Sequence, residues 1–319
     1  MLEDPDLVAA IDASGAQGDL VEALGRVASP DGALLCLTRV VAAAREGAAF
    51  DTVTAALGGP ERERLLAVLG ASTALGDHLV RHPDDVGALV GDMSVALDPD
   101  VLRAELLSAV GAPTDRESAP APVATVTGDT GVDAMRRAYR RRLLTIAAVD
   151  LTSADPLAVL PDVAAALADL AAAALEAALA LARAEIGDEA GTTRLAVIGM
   201  GKCGSRELNY VSDVDVIYVA EPADGVAEAD ALAAATRLAT TVARICSGPS
   251  GEPALWPVDA ALRPEGKNGP LVRTVASHTT YYRRWAKTWE FQALLKARVV
   301  AGDLEVGQAY ITAVEPNAD

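Results

Sequence analysis

Asp213 and Asp215 flank a single valine at the head of the apolar run "DVDVIYVA". In an extended segment alternate residues share a face, so both carboxylates point the same way. Two like charges that close are costly unless a cation bridges them. Magnesium favours a few carboxylates together with phosphate oxygens, and a pair of such ions can activate the attacking and leaving oxygens of a phosphoryl or nucleotidyl transfer. A third carboxylate on a neighbouring strand would complete the cage. Asp259 in "WPVDAALRPEG" is the candidate, with Arg263 four residues further on and expected on the same face.

Just upstream, "LAVIGMGKCGSRELNY" carries Gly199, Gly201 and Gly204 in a G-x-G-x-x-G pattern directly after an apolar run. A dinucleotide-binding turn needs a helix of three or more turns after the glycines, and an acid at the far end of the second strand. Here the second strand begins only nine residues after Gly204, with room for about two helical turns over "SRELNY", and the acids stand at its start. The spacing excludes the dinucleotide site. It leaves a glycine turn and short helix that can present backbone N–H groups to phosphate.

The elements that must position these groups occupy the last 40% or so of the chain. "RLAVIG" and "DVDVIYVA" predict strands, "DALAAATRLATTVARIC" a helix, and "ALWPVDAALRP" a third, alternating strand. Residues 1–110 predict several short helices, as in "GALLCLTRVVAAAREG" and "PERERLLAVLGASTALGDHLVRHP". A Pro, Gly, Ser and Thr-rich stretch, 111–132, reads as a flexible linker. Asp133 is placed as the N-cap of a helix bearing Arg136, Arg137, Arg140, Arg141 and Arg142, which reads as a solvated face with arginine stems over the core. Long helices over 133–190 then pack on a catalytic core at 191–275, and 276–319 begins a further helical region. The expected class is α+β, a small mixed sheet with helical material on both sides.

The chain has 319 residues, 51% of them hydrophobic, and a net charge of -18. That charge argues against a nucleic-acid partner, whose phosphates it would repel. The run "VAAALADLAAAALEAALALARAEI" is broken by Asp169, Glu176 and Arg183, so it reads as a helix of a water-soluble fold and no membrane is expected. Cys36, Cys203 and Cys246 are too few and scattered for a disulfide framework or a zinc cluster, which suits a reducing cytoplasm; Cys203 reads as a small packing residue. Lysine is confined to Lys202, Lys267, Lys287 and Lys296. His78 and His82, four apart, lack a third metal ligand and read as capping or surface residues. His278 reads as structural, and Trp285 and Trp289 as core.

"GMGKCGSRELNYVSDVDVIYV", "VDAALRPEGKNGPLVRT" and "YYRRWAKTWEFQALLKARVVAGD" together resemble the bacterial glutamine synthetase adenylyltransferase family. "LGASTALGDHLVRHPDD" and "RRAYRRRLLTIAAVDLT" extend the resemblance towards the N-terminus. It implies a polymerase-β-like nucleotidyltransferase core, with Asp213, Asp215 and Asp259 as catalytic metal ligands. It implies a phosphate-facing turn containing Gly199, Gly201, Lys202, Gly204 and Ser205, with Ser212 counted among the phosphate-binding residues. Arg263, Glu265, Gly266 and Lys267 would line the nucleotide side. The implied cofactor is Mg²⁺, with ATP, ADP and phosphate as substrates or products, and the implied partners are glutamine synthetase and a PII-type nitrogen-signalling protein. The single catalytic copy and the Lys202-Cys203-Gly204 turn resemble the N-terminal, deadenylylating half of an actinobacterial member, cut short at its C-terminal end. That half removes AMP from a tyrosine with phosphate, releasing ADP. The alternatives are ATP-dependent attachment and an inactive module that only binds glutamine synthetase.

Overall fold

The computed structural model describes residues 4–315 except 17–18, 46, 92 and 94–97; the last four residues of the expected C-terminal helical region, 316–319, lie outside the described residues. The chain divides into two compact units, Met1–Leu97 with Arg140–Val163, and Asp98–Tyr139 with Ala164–Asp319.

The first unit is helical. It contains α1 (Pro5–Ser14), α2 (Asp19–Leu24), α3 (Pro30–Ala44), α4 (Ala48–Gly58), α5 (Arg62–Ala71) and α6 (Thr73–Arg81). Starts are set by short polar caps: Asp4, Ser29 and Ser72 each accept a backbone N–H of the following turn, an arrangement that satisfies donors a helix cannot pair internally. Leucines and valines at three- and four-residue spacing, among them Leu37, Val40, Val41, Leu65, Leu66 and Leu69, meet in one core with Leu144 and Ala148. His78 departs from the expected capping or surface role. It is fully buried, with Nε2 3.0 Å from Asp85 Oδ2, while His82 ends α6 through its backbone.

In the second unit α7 (Pro99–Ala109) precedes α8 (Gly128–Thr152) and α9 (Pro156–Ile186), whose remaining parts belong to the first unit. The sheet is built from β1 (Thr193–Gly199), β2 (Val214–Pro222), β3 (Val258–Asp259), β4 (Val272–Arg273) and β5 (Arg298–Gly302). β1 lies between β2 and β5 and is antiparallel to both, while β3 and β4 run parallel to successive parts of the other edge of β2. Helix α10 (Gly201–Gly204) is a single turn, α11 (Glu228–Ser247) packs on β1 and β2, and α12 (Val275–Arg284), α13 (Thr288–Leu294) and α14 (Leu304–Val314) complete the unit. One sheet face buries Ala196, Ile198, Met200, Ile217 and Val219 against Tyr282, Leu294, Val306 and Tyr310. Both faces of β2 are covered, so its sequence is continuously apolar rather than alternating. The architecture is the expected α+β one, with a small mixed sheet.

Several boundaries differ from the sequence expectation. Residues 111–127 are not a free linker: Ala112 and Ala124 are buried, Ala124 N donates to Ala180 O, and Thr125 N and Val126 N share Val110 O. Turn-forming composition says only that the backbone bends; it shows neither the return of the segment onto Val110 nor its bond to the remote Ala180. Helix α8 begins at Gly128 rather than Asp133, and the sheet gains β5 from a stretch read as helical. "VVAG" is too short to show a period, and only its partner β1 reveals it. The third strand shrinks to two residues because Asp259 Oδ1 accepts Ala261 N (2.7 Å), an Asx turn that leads the chain off the sheet.

The apolar helix within Pro156–Thr192 is the one described segment long and apolar enough to cross a membrane, and 83% of its most apolar window is buried inside the protein. Three of its charged residues are buried and engaged. Glu176 accepts Gly302 N (2.9 Å), Arg183 donates to Pro122 O (3.1 Å), and Asp169 holds two arginines described below.

Arg136 corrects the reading of the arginine helix as a solvated face. Its side chain is wholly buried and donates to Ile245 O (2.6 Å), Gly248 O (2.8 Å) and Glu252 O (2.8 Å). Beside it, Asp133 accepts from Ser250 Oγ and Glu252 N, and Trp256 Nε1 donates to Tyr139 Oη (3.1 Å). These bonds pin the segment that runs from α11 into β3. Arg136→Met should therefore cost roughly 3–5 kcal/mol, since buried carbonyls lose their donor. Arg141→Met, at an exposed position, should stay within about 0.5 kcal/mol. Urea unfolding of the two variants checks the contrast.

Candidate active site

Strand register brings the carboxylates together. β2 and β3 are parallel with Val214 opposite Val258 and Asp215 opposite Asp259, and Val214 N donates to Pro257 O (3.0 Å). Asp213 sits just before β2. One carboxylate oxygen from each of Asp213, Asp215 and Asp259 lies within 4.8 Å of the others. Asp213 is exposed and the other two are half-buried, so the group opens to solvent on one side.

The electrostatics are those of an unneutralised cluster. Burial pushes the Asp215 carboxyl above the usual carboxylate range, the charges of Asp213 and Asp259 push it further, and Lys202 opposes them. Three converging, half-open carboxylates with a raised member make an all-oxygen donor set suited to a hard divalent cation. The residues therefore fit Mg²⁺, which Asp213, Asp215 and Asp259 could hold.

The three glycines of the preceding turn have separate tasks. A Cβ on Gly201, whose φ is +51°, would lie 2.6 Å from Asp215 Oδ2, so this glycine lets the backbone approach the carboxylates. A Cβ on Gly204 would fall 1.9 Å from Lys296 O, and one on Gly199 2.7 Å from Val300 Cγ1. Those two admit the chain around β5 rather than a ligand. Met200 N donates to Asp215 O (2.8 Å), tying the turn to β2. The helix expected over "SRELNY" is absent: α10 ends at Gly204, and Arg206 takes φ +59°. Lys202 Nζ reaches Asn209 Oδ1 (3.2 Å), and Ser205 Oγ donates to Gly201 O (3.0 Å) and Glu207 Oε2 (2.8 Å). Ser212 is half-buried beside Asp213. Cys203 is buried as expected, its thiol pushed up to about 11 by desolvation, which does not suit a nucleophile.

Arg263 does not stand free on the nucleotide side. Its guanidinium donates to Ala260 O (2.7 Å), Lys267 O, Gly269 O and Pro270 O, closing the 260–270 loop on itself. In that loop Glu265 and Gly266 both adopt positive φ, Glu265 accepts from Arg273 on β4, and Lys267 is exposed. Trp285 and Trp289 are 71% and 51% exposed, so neither is the core residue expected. An i, i+4 aromatic pair signals one helix face, but here the helix breaks between them, at Trp285.

His278 is structural, as expected. It is buried, stacked on Tyr282 and edge-on to Tyr310. Burial pushes its pKa down to about 4, Arg273 adding to the effect and the Tyr218 backbone opposing it. The unfolded chain therefore binds a proton here that the folded protein refuses, so stability falls as pH drops below about 6.5 towards 4. Between about pH 8 and pH 5 this group should remove ~2 kcal/mol, and His278→Phe should be spared that loss. Denaturant titrations at the two pH values test it.

Sequence reasoning missed Asp169, Arg206 and Arg298, which brace the glycine turn from behind. The available signal was a carboxylate, Asp169, set among alanines and leucines in the middle of an apolar helix.

The family model for glutamate-ammonia ligase adenylyltransferase matches residues 62–312. A bifunctional glutamine synthetase adenylyltransferase/adenylyl-removing enzyme from Streptomyces avermitilis is 52% identical over 301 residues, covering 93% of this chain and 28% of that protein. A protein of the same description from Cutibacterium acnes is 54% identical over 254 residues, 79% of this chain and 25% of its own length. Another, from Mycolicibacterium smegmatis, is 45% identical over 329 aligned positions, 99% of this chain and 31% of its own length. The chain thus spans less than a third of the relatives it matches. With the family model covering most of its length, including every carboxylate of the cluster, the chain belongs to the glutamate-ammonia ligase adenylyltransferase family.

Proposed function

We propose that the second unit performs Mg²⁺-dependent nucleotidyl transfer on glutamine synthetase, in the direction of phosphorolytic removal of AMP from a modified tyrosine. The observation that carries the reading is the convergence of Asp213, Asp215 and Asp259 beside the close-approach glycine Gly201. In the reaction a phosphate oxygen bonds to the AMP phosphorus in line with the departing tyrosine oxygen. The phosphorus–tyrosine bond breaks, the tyrosine oxygen takes a proton supplied by the phosphate, and ADP leaves. When bound, the divalent cation supplies charge stabilisation at the reacting phosphorus oxygens.

The chain's own residues do the rest. Asp215 and Asp259 are held in fixed register, so the donor set is built before substrate arrives. The turn containing Gly199, Gly201, Lys202, Gly204 and Ser205 places backbone and one ammonium beside it, with Ser212 at its edge. Arg263 shapes the loop that carries Glu265 and Lys267. The direction is supported by the resemblance of the Lys202-Cys203-Gly204 turn to the deadenylylating half of the family; the relatives are named for both attachment and removal and favour neither. The net charge of -18 supports a protein substrate over a nucleic acid. A PII-type protein is proposed as a regulatory partner, and the cytoplasm as the setting.

The test offers the purified chain adenylylated glutamine synthetase with Mg²⁺ and phosphate, and in parallel unmodified glutamine synthetase with Mg²⁺ and ATP. Phosphate-dependent ADP release is expected. ATP-driven modification without it would reverse the direction, and neither activity would leave only the binding module.

A further inference from the structure

Asp169 is a buried carboxylate in a helix that otherwise buries alanine and leucine around it. A buried charge is expensive, and a small apolar residue would serve the packing at least as well. Its two oxygens receive Arg206 Nε (3.2 Å to each) and Nη2 (2.6 Å), and Arg298 Nη1 (3.1 Å). Both arginines lead to the glycine turn. Arg298 also donates to Cys203 O (3.1 Å) and Gly204 O (3.3 Å), the last carbonyls of α10. Arg206 is itself the left-handed residue through which the chain leaves the turn, a conformation a non-glycine residue adopts only when its surroundings compel it. The far side of the same turn is Gly201, pressed against Asp215. A continuous set of hydrogen bonds thus runs from α9 to the back of the turn whose front faces the carboxylates.

We propose that Asp169 is a positioning residue of the nucleotidyl-transfer site: through Arg206 and Arg298 it fixes the turn Gly201–Arg206 at the distance from Asp213, Asp215 and Asp259 that a bound nucleotide phosphate requires. The proposal rests on the reading given under Proposed function. It separates two tasks. The metal ligands stand on or beside β2 and β3 and do not depend on Asp169. The phosphate-facing turn does.

Three measurements on the full chain test it: Mn²⁺ affinity with MnCl₂ alone, ADP affinity at saturating Mn²⁺, and amide exchange over 200–209. The turn's own hydrogen bonds, Gly204 N to Met200 O, Ser205 N to Gly201 O and Glu207 N to Lys202 O, report its opening. Asp169→Asn should leave Mn²⁺ affinity within about twofold. It should weaken ADP about tenfold and speed exchange over 200–209 by a similar factor, with slow exchange preserved in β1 and β2. Asp169→Glu, which keeps the charge, should recover part of the ADP affinity. Arg206→Gln alters a half-exposed side chain and so keeps the fold if Asp169→Asn does not. It should shift ADP affinity and exchange the same way by a smaller factor. Unchanged exchange and ADP affinity in a folded variant would overturn the proposal. So would a parallel loss of Mn²⁺ and ADP binding, which would show a merely structural role. A wild-type chain that binds neither ligand would sink the functional reading instead, and amide exchange would still decide whether Asp169 holds the turn.

Discussion

Asp215→Asn is expected to abolish nucleotidyl transfer while making the metal-free protein slightly more stable. The two effects have one cause. Asp215 is the member of the cluster whose carboxyl is pushed up, first by burial and then by Asp213 and Asp259. Removing its charge relieves repulsion that Lys202 offsets only in part. An isosteric amide leaves the pairing with β3 intact, so the fold has no reason to change. Turnover should nevertheless fall by roughly 10³-fold or more, because the donor set loses its central anionic ligand. In melting experiments the variant should melt higher than wild type in EDTA and show no further rise with Mg²⁺, whereas wild type should rise. A variant that melts lower than wild type in EDTA, or turns over normally, would contradict the assignment.

Gly201→Ala is expected to produce the second large effect, by geometry instead of charge. The added methyl would sit 2.6 Å from Asp215 Oδ2, at a backbone φ of +51° that disfavours any side chain. Left-handed backbone costs a non-glycine residue roughly 1–2 kcal/mol, a tolerable loss for the fold. The site fares worse, since either the turn or the Asp215 carboxylate must move, and a displacement near 1 Å can cost about 10²-fold in rate. Gly191→Ala is the control, because a Cβ there meets nothing within 4 Å. Steady-state rates and melting temperatures of the pair should separate cleanly. A fully active Gly201→Ala would show that the turn does not face the reacting groups.

The carboxylate cluster was legible in the sequence because it depends on local rules. Period-two geometry put Asp213 and Asp215 on one face, and a β-branched run named their strand. Asp259 was reachable because a third carboxylate was needed from a neighbouring strand, and the register of β2 with β3 supplies it. The glycine turn was legible as a motif but not as three separate tasks, since what a Cβ would strike is Lys296 just before β5 for Gly204 and Asp215 on β2 for Gly201, neither of them in the turn itself. Arg136 was misread, and the role of Asp169 missed, for the same reason. A charge in a helix looks solvated until its partners, here the carbonyls after α11 and the arginines beside the turn, are known. Residues 111–127 show the converse: composition promised freedom, and long-range backbone pairing removes it. Arg263 illustrates the limit of motif transfer, because its donors close its own loop.

The claim that supports every other one is that Asp213, Asp215 and Asp259 hold a divalent cation together. Titration of the full chain with Mn²⁺, followed by the loss of the free-ion paramagnetic resonance signal, measures this without relying on any substrate. Wild type should take up the ion at a site that Mg²⁺ displaces, and Asp259→Asn and Asp215→Asn should each lose it while Asp51→Asn, on α4 of the first unit, does not. Equal uptake by wild type and both cluster variants would contradict the account.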